Sequence, residues 1–272
     1  MLFIDDTTAK YCTLSIRLAP NGFSFFILNE RSQEVIVFKD FPIDYHQDVI
    51  AVTLTELRKE VLLSLPFSEV RILIDFPEVT SVPSIIYDEE NKDQLFALNV
   101  NTTKNEFVIS NSNSIYDIEV LFAIPTKLYQ FFNDNFKRFR FVHKLSNILD
   151  FAYKYKDKTR EQLFVSYNDN HIIAVGLRNN MIVYHNCFKI TTDEDFIYYF
   201  LLVFQELEFD QYEAKVLFDG PMPEDHKSIG IIREYIRNIE FASIPEVMRI
   251  FPNIAELPQH YHSNLLSLPY CE

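Results

Sequence analysis

Residues 14–28 read LSIRLAPNGFSFFIL, and residues 163–177 read LFVSYNDNHIIAVGL. These fifteen-residue segments share one pattern: an apolar run, a polar turn and a second apolar run, with Asn21 falling on Asn170. After each come another polar turn, a third apolar run and an amphipathic helical pattern. A repeat of about half the chain points to duplication of a domain, not to a short solenoid unit. At 272 residues and 48% hydrophobic content, the chain can fill one large core or two compact ones.

In the first half the spacing predicts strands over 12–18, 23–28 and 34–39. Asn21-Gly22 is a hairpin signal between the first two. A helix follows over 48–65, then a buried β-branched strand over 70–75. The stretch 78–113, rich in Asn and Asp, breaks the rhythm and reads as an insertion of short helix and strand pieces. Beyond it come a strand over 117–123, a helix over 125–135, a strand over 138–143 and a crossover helix over 146–156. The second half repeats the order with strands over 162–167, 172–177 and 181–187. Its first helix, 193–209, has Thr192 as cap, acids in its first turn and the run YYFLLVF, which is apolar nearly all round. A strand over 215–218, a helix over 224–239 and a strand over 240–242 complete it, and a tail begins at 257. An antiparallel opening followed by crossover helices gives mixed sheets with helices packed on them. That is a ribonuclease H-like unit. Two in tandem, 1–143 and 144–272, predict an α/β protein of actin-like ATPase fold.

The segments IVYHNCFKITTDEDFIYYFLLVFQELEFD, VLFDGPMP and REYIR, within 182–237, together with the opening hairpin, resemble an uncharacterised bacterial family known mostly from Bacteroidetes. The resemblance spans nearly the whole chain and implies an actin-like fold without an established activity. More distantly, the second half is similar to cytoplasmic pilus-assembly and type II secretion proteins of actin-like fold, which act largely as adaptors.

Active actin-like ATPases place Asp-x-Gly in each hairpin, so that the main chain approaches phosphate and the acid orients Mg²⁺ and water. Here the first hairpin holds Arg17 and Asn21 but no Asp. The second holds Asp169 without a glycine. The strand over 215–218 runs into Asp219-Gly220-Pro221, with one glycine where the active pattern has two or more. The whole chain has four glycines, Gly22, Gly176, Gly220 and Gly230; at the average usage of about 7% it would have roughly 19. A cradle of main-chain N–H groups is therefore hard to build. The expected cleft rim is Asn21, Gly22, Asn168, Asp169, Asn170, Asp219 and Gly220, in contact with a ligand or partner, with no catalytic residue, no metal and no cofactor assigned. The expectation is a binding or scaffold protein with degenerate phosphate loops and a protein partner. The alternative is a divergent ATPase that keeps Asp169 or Asp219 for Mg²⁺ and builds its cradle from side chains.

A net charge of −14 argues against nucleic acid as a general partner. One basic cluster, Lys137, Arg138, Arg140, Lys144, Lys154, Lys156, Lys158 and Arg160, lies between the repeats; it reads as a solvated face or as a dock for an acidic partner. No apolar run approaches the ~20 residues of a membrane span. Cys12, Cys187 and Cys271 are odd in number and widely spaced, and the N-terminus has acids where a leader carries positive charge, so a cytoplasmic protein is expected. His185 and Cys187 share a strand face, and His260, His262 and Cys271 lie in the tail. Neither set has a visible activator or a full ligand count, so each reads as ordinary structure.

Overall fold

The computed structural model describes residues 4–44, 48–101, 105–154, 160–250 and 258–271. A one-turn helix α1 (Asp6–Ala9) precedes the first antiparallel trio, β1 (Cys12–Ala19), β2 (Gly22–Asn29) and β3 (Glu34–Pro42). Helix α2 (Val49–Lys59) leads to β4 (Glu69–Ile74). The excursion β5 (Val79–Pro83), α3 (Lys92–Ala97), β6 (Glu106–Asn113) and β7 (Ile118–Pro125) comes next. Then α4 (Thr126–Asn135) and β8 (Phe139–His143) close the first half, and α5 (Lys144–Lys154) leads into the second. The second half runs β9 (Glu161–Asn168), β10 (His171–Arg178), β11 (Met181–Lys189), α6 (Asp193–Glu206), β12 (Lys215–Asp219), α7 (Lys227–Arg233) and β13 (Asn238–Phe241). A two-residue strand β14 (Arg249–Ile250) and a short helix α8 (Ser263–Ser267) end the described chain.

The strands form a six-stranded sheet ordered β14-β3-β2-β1-β4-β8, a five-stranded sheet ordered β11-β10-β9-β12-β13 and a three-stranded sheet ordered β5-β7-β6. In the two larger sheets the opening trio is antiparallel, and the strands that follow helices add in parallel. This is a mixed α/β architecture. The repeat seen in the sequence is kept to the residue: both ends of β1 and β2 map onto β9 and β10 with a single offset of 149. Even the bulge is duplicated, between Ile27 and Leu28 in one trio and between Gly176 and Leu177 in the other.

The turns follow their residues. Asn179 and Asn180 take φ of 53° and 63°, as a two-residue hairpin between β10 and β11 requires. In the β1–β2 hairpin Ala19 pairs with Gly22, so the turn residues are Pro20 and Asn21, and Gly22 opens β2 at φ +130°. That differs from an Asn-Gly turn. Thr192 and Asp195 form a reciprocal capping box at the start of α6. On that helix Phe196, Phe200, Val203 and Phe204 are buried, whereas Tyr198 is turned outward.

Four expectations shift. The helix expected over 48–65 breaks at Glu60, which is extended and caps a following 3₁₀ turn through Leu62 N. The strand expected over 117–123 pairs with β5 and β6, so the added sheet reaches past 113. The helix expected over 224–239 is confined to α7, because Tyr235 and Ile236 close the chain in turns. The tail from 257 is folded where described, with Leu265, Leu266 and Leu268 packed on Phe26, Leu28, Leu73 and Val142 of the first sheet. With β14 beside β3, the end of the chain returns to the first sheet.

Candidate functional site

The tips of the two duplicated hairpins meet. Asn21 Nδ2 donates to Asp169 Oδ2 at 2.9 Å, joining residues 148 apart in sequence. Behind this contact sits Asp75, directly after β4. Its amide donates to Leu18 O, which draws the chain in beside β1. Its carboxylate is wholly buried. Arg17 Nε (2.7 Å), Lys144 Nζ (3.1 Å) and Asn168 Nδ2 (3.1 Å) donate to Oδ2, and His171 Nε2 lies 3.1 Å from Oδ1. These groups come from β1, the first residue of α5, the end of β9 and the start of β10. Both halves thus close on one carboxylate.

A bare carboxylate in such a place would be neutral. Burial pushes the Asp75 carboxyl up, but Lys144, Arg17 and His171 overcome it and hold the group well below the ordinary carboxylate range. Next to it His143 is also fully buried, with Nε2 3.0 Å from Phe76 O and Nδ1 accepting from Leu145 N. Burial pulls its imidazole down to about 4. The space between the hairpins is therefore filled with the chain's own charges and amides.

Polar groups of the turns are engaged as well. Asp169 N donates to Asn168 Oδ1 at 2.7 Å. Ile43 N and Ile190 N donate to the carbonyls of Asn21 and Asn170, and Asn170 Oδ1 lies 2.7 Å from His171 Nδ1. Gly22 has its own reason to be glycine: a Cβ there would sit 2.2 Å from Phe41 O.

Asp219 and Gly220 belong to a second seam. Ser166 Oγ donates to Asp219 Oδ1 at 2.6 Å, and Ser263 and Asn264 of α8 donate to the same carboxylate. Burial raises this carboxyl. Gly220 N donates to His260 O, and His260 Nε2 lies 2.9 Å from Met222 O. At φ +116° a Cβ on Gly220 would lie 2.2 Å from Tyr167 O. The C-terminal segment thus covers the strand-end turn.

The expected rim is brought together in part. Asn21, Gly22, Asn168, Asp169 and Asn170 share the hairpin junction, while Asp219 and Gly220 lie under α8. Among the described residues no three His, Cys, Asp or Glu side chains gather at metal-binding spacing. The central residues Asp75, Lys144, His171 and His143 were missed. One signal was present: Asp75 ends an apolar strand, where an acid needs partners.

The other candidates are placed too. His185 Nε2 lies 2.7 Å from Ser81 Oγ, and burial pushes the Cys187 thiol up to about 12, so this pair holds no ready nucleophile. His262 rests its ring against Phe38, and burial lowers it to about 4. Asn147 Nδ2 donates to the sulfur of the buried Cys271. Three cations of the basic cluster bond within the chain: Lys144 to Asp75, Arg140 Nη2 to Cys271 O and Lys154 to Tyr270 O. Lys156 and Lys158 lie outside the described residues.

The profile of a family described as "Protein of unknown function (DUF3822)" matches residues 4–239. A solved structure from Bacteroides thetaiotaomicron, described as a protein with actin-like ATPase fold and unknown function, is similar at 24% identity. It covers 99% of this chain and 100% of its own, with a TM-score of 0.85. A solved PilM-PilN type IV pilus biogenesis complex is similar at 9% identity over 95% of this chain and 97% of that one, with a TM-score of 0.59. The first likeness shows the actin-like fold, and the second shares its overall shape. No curated protein matches the chain. Among the described residues no helix is long and apolar enough to cross a membrane.

Proposed function

We propose that this chain, which belongs to the DUF3822 family, is a non-catalytic binding or scaffold protein that keeps an actin-like shell around a closed cleft. One observation carries the reading. Arg17, Lys144, Asn168 and His171 converge on the buried Asp75 from both halves, at the junction where a phosphate ligand of this fold would have to enter. Charge already neutralised inside is not free for a phosphate, and the amide of Asp169 is bonded to Asn168. We read Asn21, Gly22, Asn168, Asp169 and Asn170 as the lock of the cleft, and Asp219 and Gly220 as the seat of the C-terminal segment. The partner in this reading is a protein. One solved structure of similar fold is a complex of PilM with PilN, and that precedent supports a protein partner for this architecture. Three unpaired cysteines fit a reducing compartment, so we place the protein in the cytoplasm.

Isothermal titration with ATP, with and without Mg²⁺, tests the reading. No heat and no thermal stabilisation up to millimolar ATP is the expected result. Micromolar binding overturns it and makes Asp169 and Asp219 the next positions to substitute.

A further inference from the structure

We propose that the slot between the free edges of β6 and β8 binds one extended peptide segment of a partner protein by strand addition. This rests on the reading of the chain as a binding protein and gives that reading a site away from the cleft. Among the described residues β6 and β8 each end their sheet, so each has one edge without a neighbouring strand. A cavity of about 670 Å³ lies between them.

Its lining says where it lies. It includes successive residues of both strands, Val108, Ile109 and Ser110 on one side and Arg140, Phe141 and Val142 on the other. Neighbouring residues of a strand point to opposite faces. A space touched by both parities of two strands is beyond their edges, in the plane of the sheets, where a further strand would run.

The backbone polarity agrees. Thr126 N donates to Asn105 O, so the odd-numbered residues of β6 bond to β7, and Val108, Ser110 and Ser112 face outward. Val70 N donates to Arg138 O, so Arg140 and Val142 bond to β4, and Phe139, Phe141 and His143 face the slot. One side chain already acts as a strand there. The amide of Asn111 donates from Nδ2 to Phe141 O at 2.9 Å and accepts from His143 N at 2.8 Å. It stands in for a peptide group and stops the slot at one end. Asn111 Nδ2 also donates to Ser110 O at 3.2 Å, so the open edge runs from Glu106 to Ser110 and leaves room for a segment of about five residues, ~16 Å long.

The two faces of the slot select side chains. One is aromatic, with Tyr129 against Phe107 (ring centroids 4.8 Å apart) and Phe139 (5.9 Å). The other is polar and carries both signs, with Ser112, Ser146, Arg140 and Asp150. The occupant is a segment that alternates apolar and polar residues, held mainly by main-chain hydrogen bonds.

A phage library of linear twelve-residue peptides, selected on the full chain, supplies the probe, and synthetic hits are measured by fluorescence anisotropy. Ser110→Pro removes one outward N–H and leaves the ladder to β7 intact. Supporting results are alternating hits, at least tenfold weaker on Ser110→Pro, and slowed hydrogen exchange at the Val108, Ser110, Phe139 and Phe141 amides of the wild type. No enriched peptide, protection elsewhere, or hits indifferent to Ser110→Pro overturn the proposal. If Ser110→Pro fails to fold, the exchange pattern of the wild type alone decides. ATP titration of the same sample reports separately on the cleft.

Discussion

Replacing Asp75 by Asn should destabilise the chain by about 5 kcal/mol, and replacing Lys144 by Met by about 3 kcal/mol, the range for breaking a buried ion pair from one side. The order follows from what each change leaves behind. Without the carboxylate, Lys144 and Arg17, whose side chains are only 4% and 15% exposed, are two cations that have lost their ion-pair partner. Without the ammonium, Asp75 keeps Arg17 at 2.7 Å and the donors on Asn168 and His171. The control is Lys189→Met. Its pair with Glu78 is as short, 2.7 Å, but Lys189 is 70% exposed, so less than about 1 kcal/mol should be lost. Urea unfolding at pH 7 reads all three. At roughly 2 °C per kcal/mol for a chain of this size, the thermal midpoints fall by about 10 °C and 6 °C. A Lys144→Met protein within 1 kcal/mol of wild type, or an Asp75→Asn protein more stable than Lys144→Met, refutes the argument that this cluster locks the halves.

Stability should also fall with acid. His143 and His262 are held at about 4 by burial, against 6.5 unfolded. The unfolded chain therefore takes up protons first as pH falls below 6.5, and the loss continues until the folded groups titrate near 4. From pH 7 to pH 5 this costs roughly 2 kcal/mol per histidine. His262→Phe should remove roughly 2 kcal/mol of the fall in urea unfolding free energy between those pH values, and an unchanged fall sinks the assignment. Gly220→Ala should lose roughly 3 kcal/mol or more, because its Cβ meets Tyr167 O at 2.2 Å and its φ is +116°. Gly230→Ala, which meets nothing within 4 Å on α7, should gain about 0.5–1 kcal/mol in the same assay. Burial pushes the thiols of Cys12 to about 11 and of Cys187 and Cys271 to about 12, so iodoacetamide at pH 7.5 should leave the native protein unlabelled. Rapid labelling of Cys187 would reopen it as a nucleophile.

The duplicated hairpins were legible because each carries its own code: alternating apolar residues and turn residues at fixed places. The C-terminal segment was not. Its helical and 3₁₀ pieces are three to five residues long, too short to show a period, and only packing on the first sheet orders them. The hairpin part of the rim was legible for the same reason as the hairpins. Asp75 was readable as the end of a buried strand, but its partners lie 58 to 96 residues away in sequence, and nothing local names them. Lys144 shows the difficulty best. In the sequence it is one cation in a basic run; in the fold it is the first residue of α5, 3% exposed and bound to Asp75.

The missing glycines and the closed cleft are one feature seen at two levels. A glycine turn brings bare amides to a ligand. A turn of Asn21, Asp169 and Asn170 brings side chains instead, and side chains packed between two halves must find partners there. Asn21 finds Asp169, Asn168 finds Asp75, and Asn170 meets His171. Any ligand entering at this junction must first undo these contacts and uncover the Asp75 cluster. If opening costs the same 3–5 kcal/mol as breaking the cluster, the open state is populated at about one part in 10² to 10⁴. Apparent affinity weakens by that factor, so an intrinsic micromolar site would act as one of roughly 0.1 to 10 mM. Weak binding of that order in wild type, strengthened in Asp75→Asn, would mean a locked site; no binding in either means that the site has been lost.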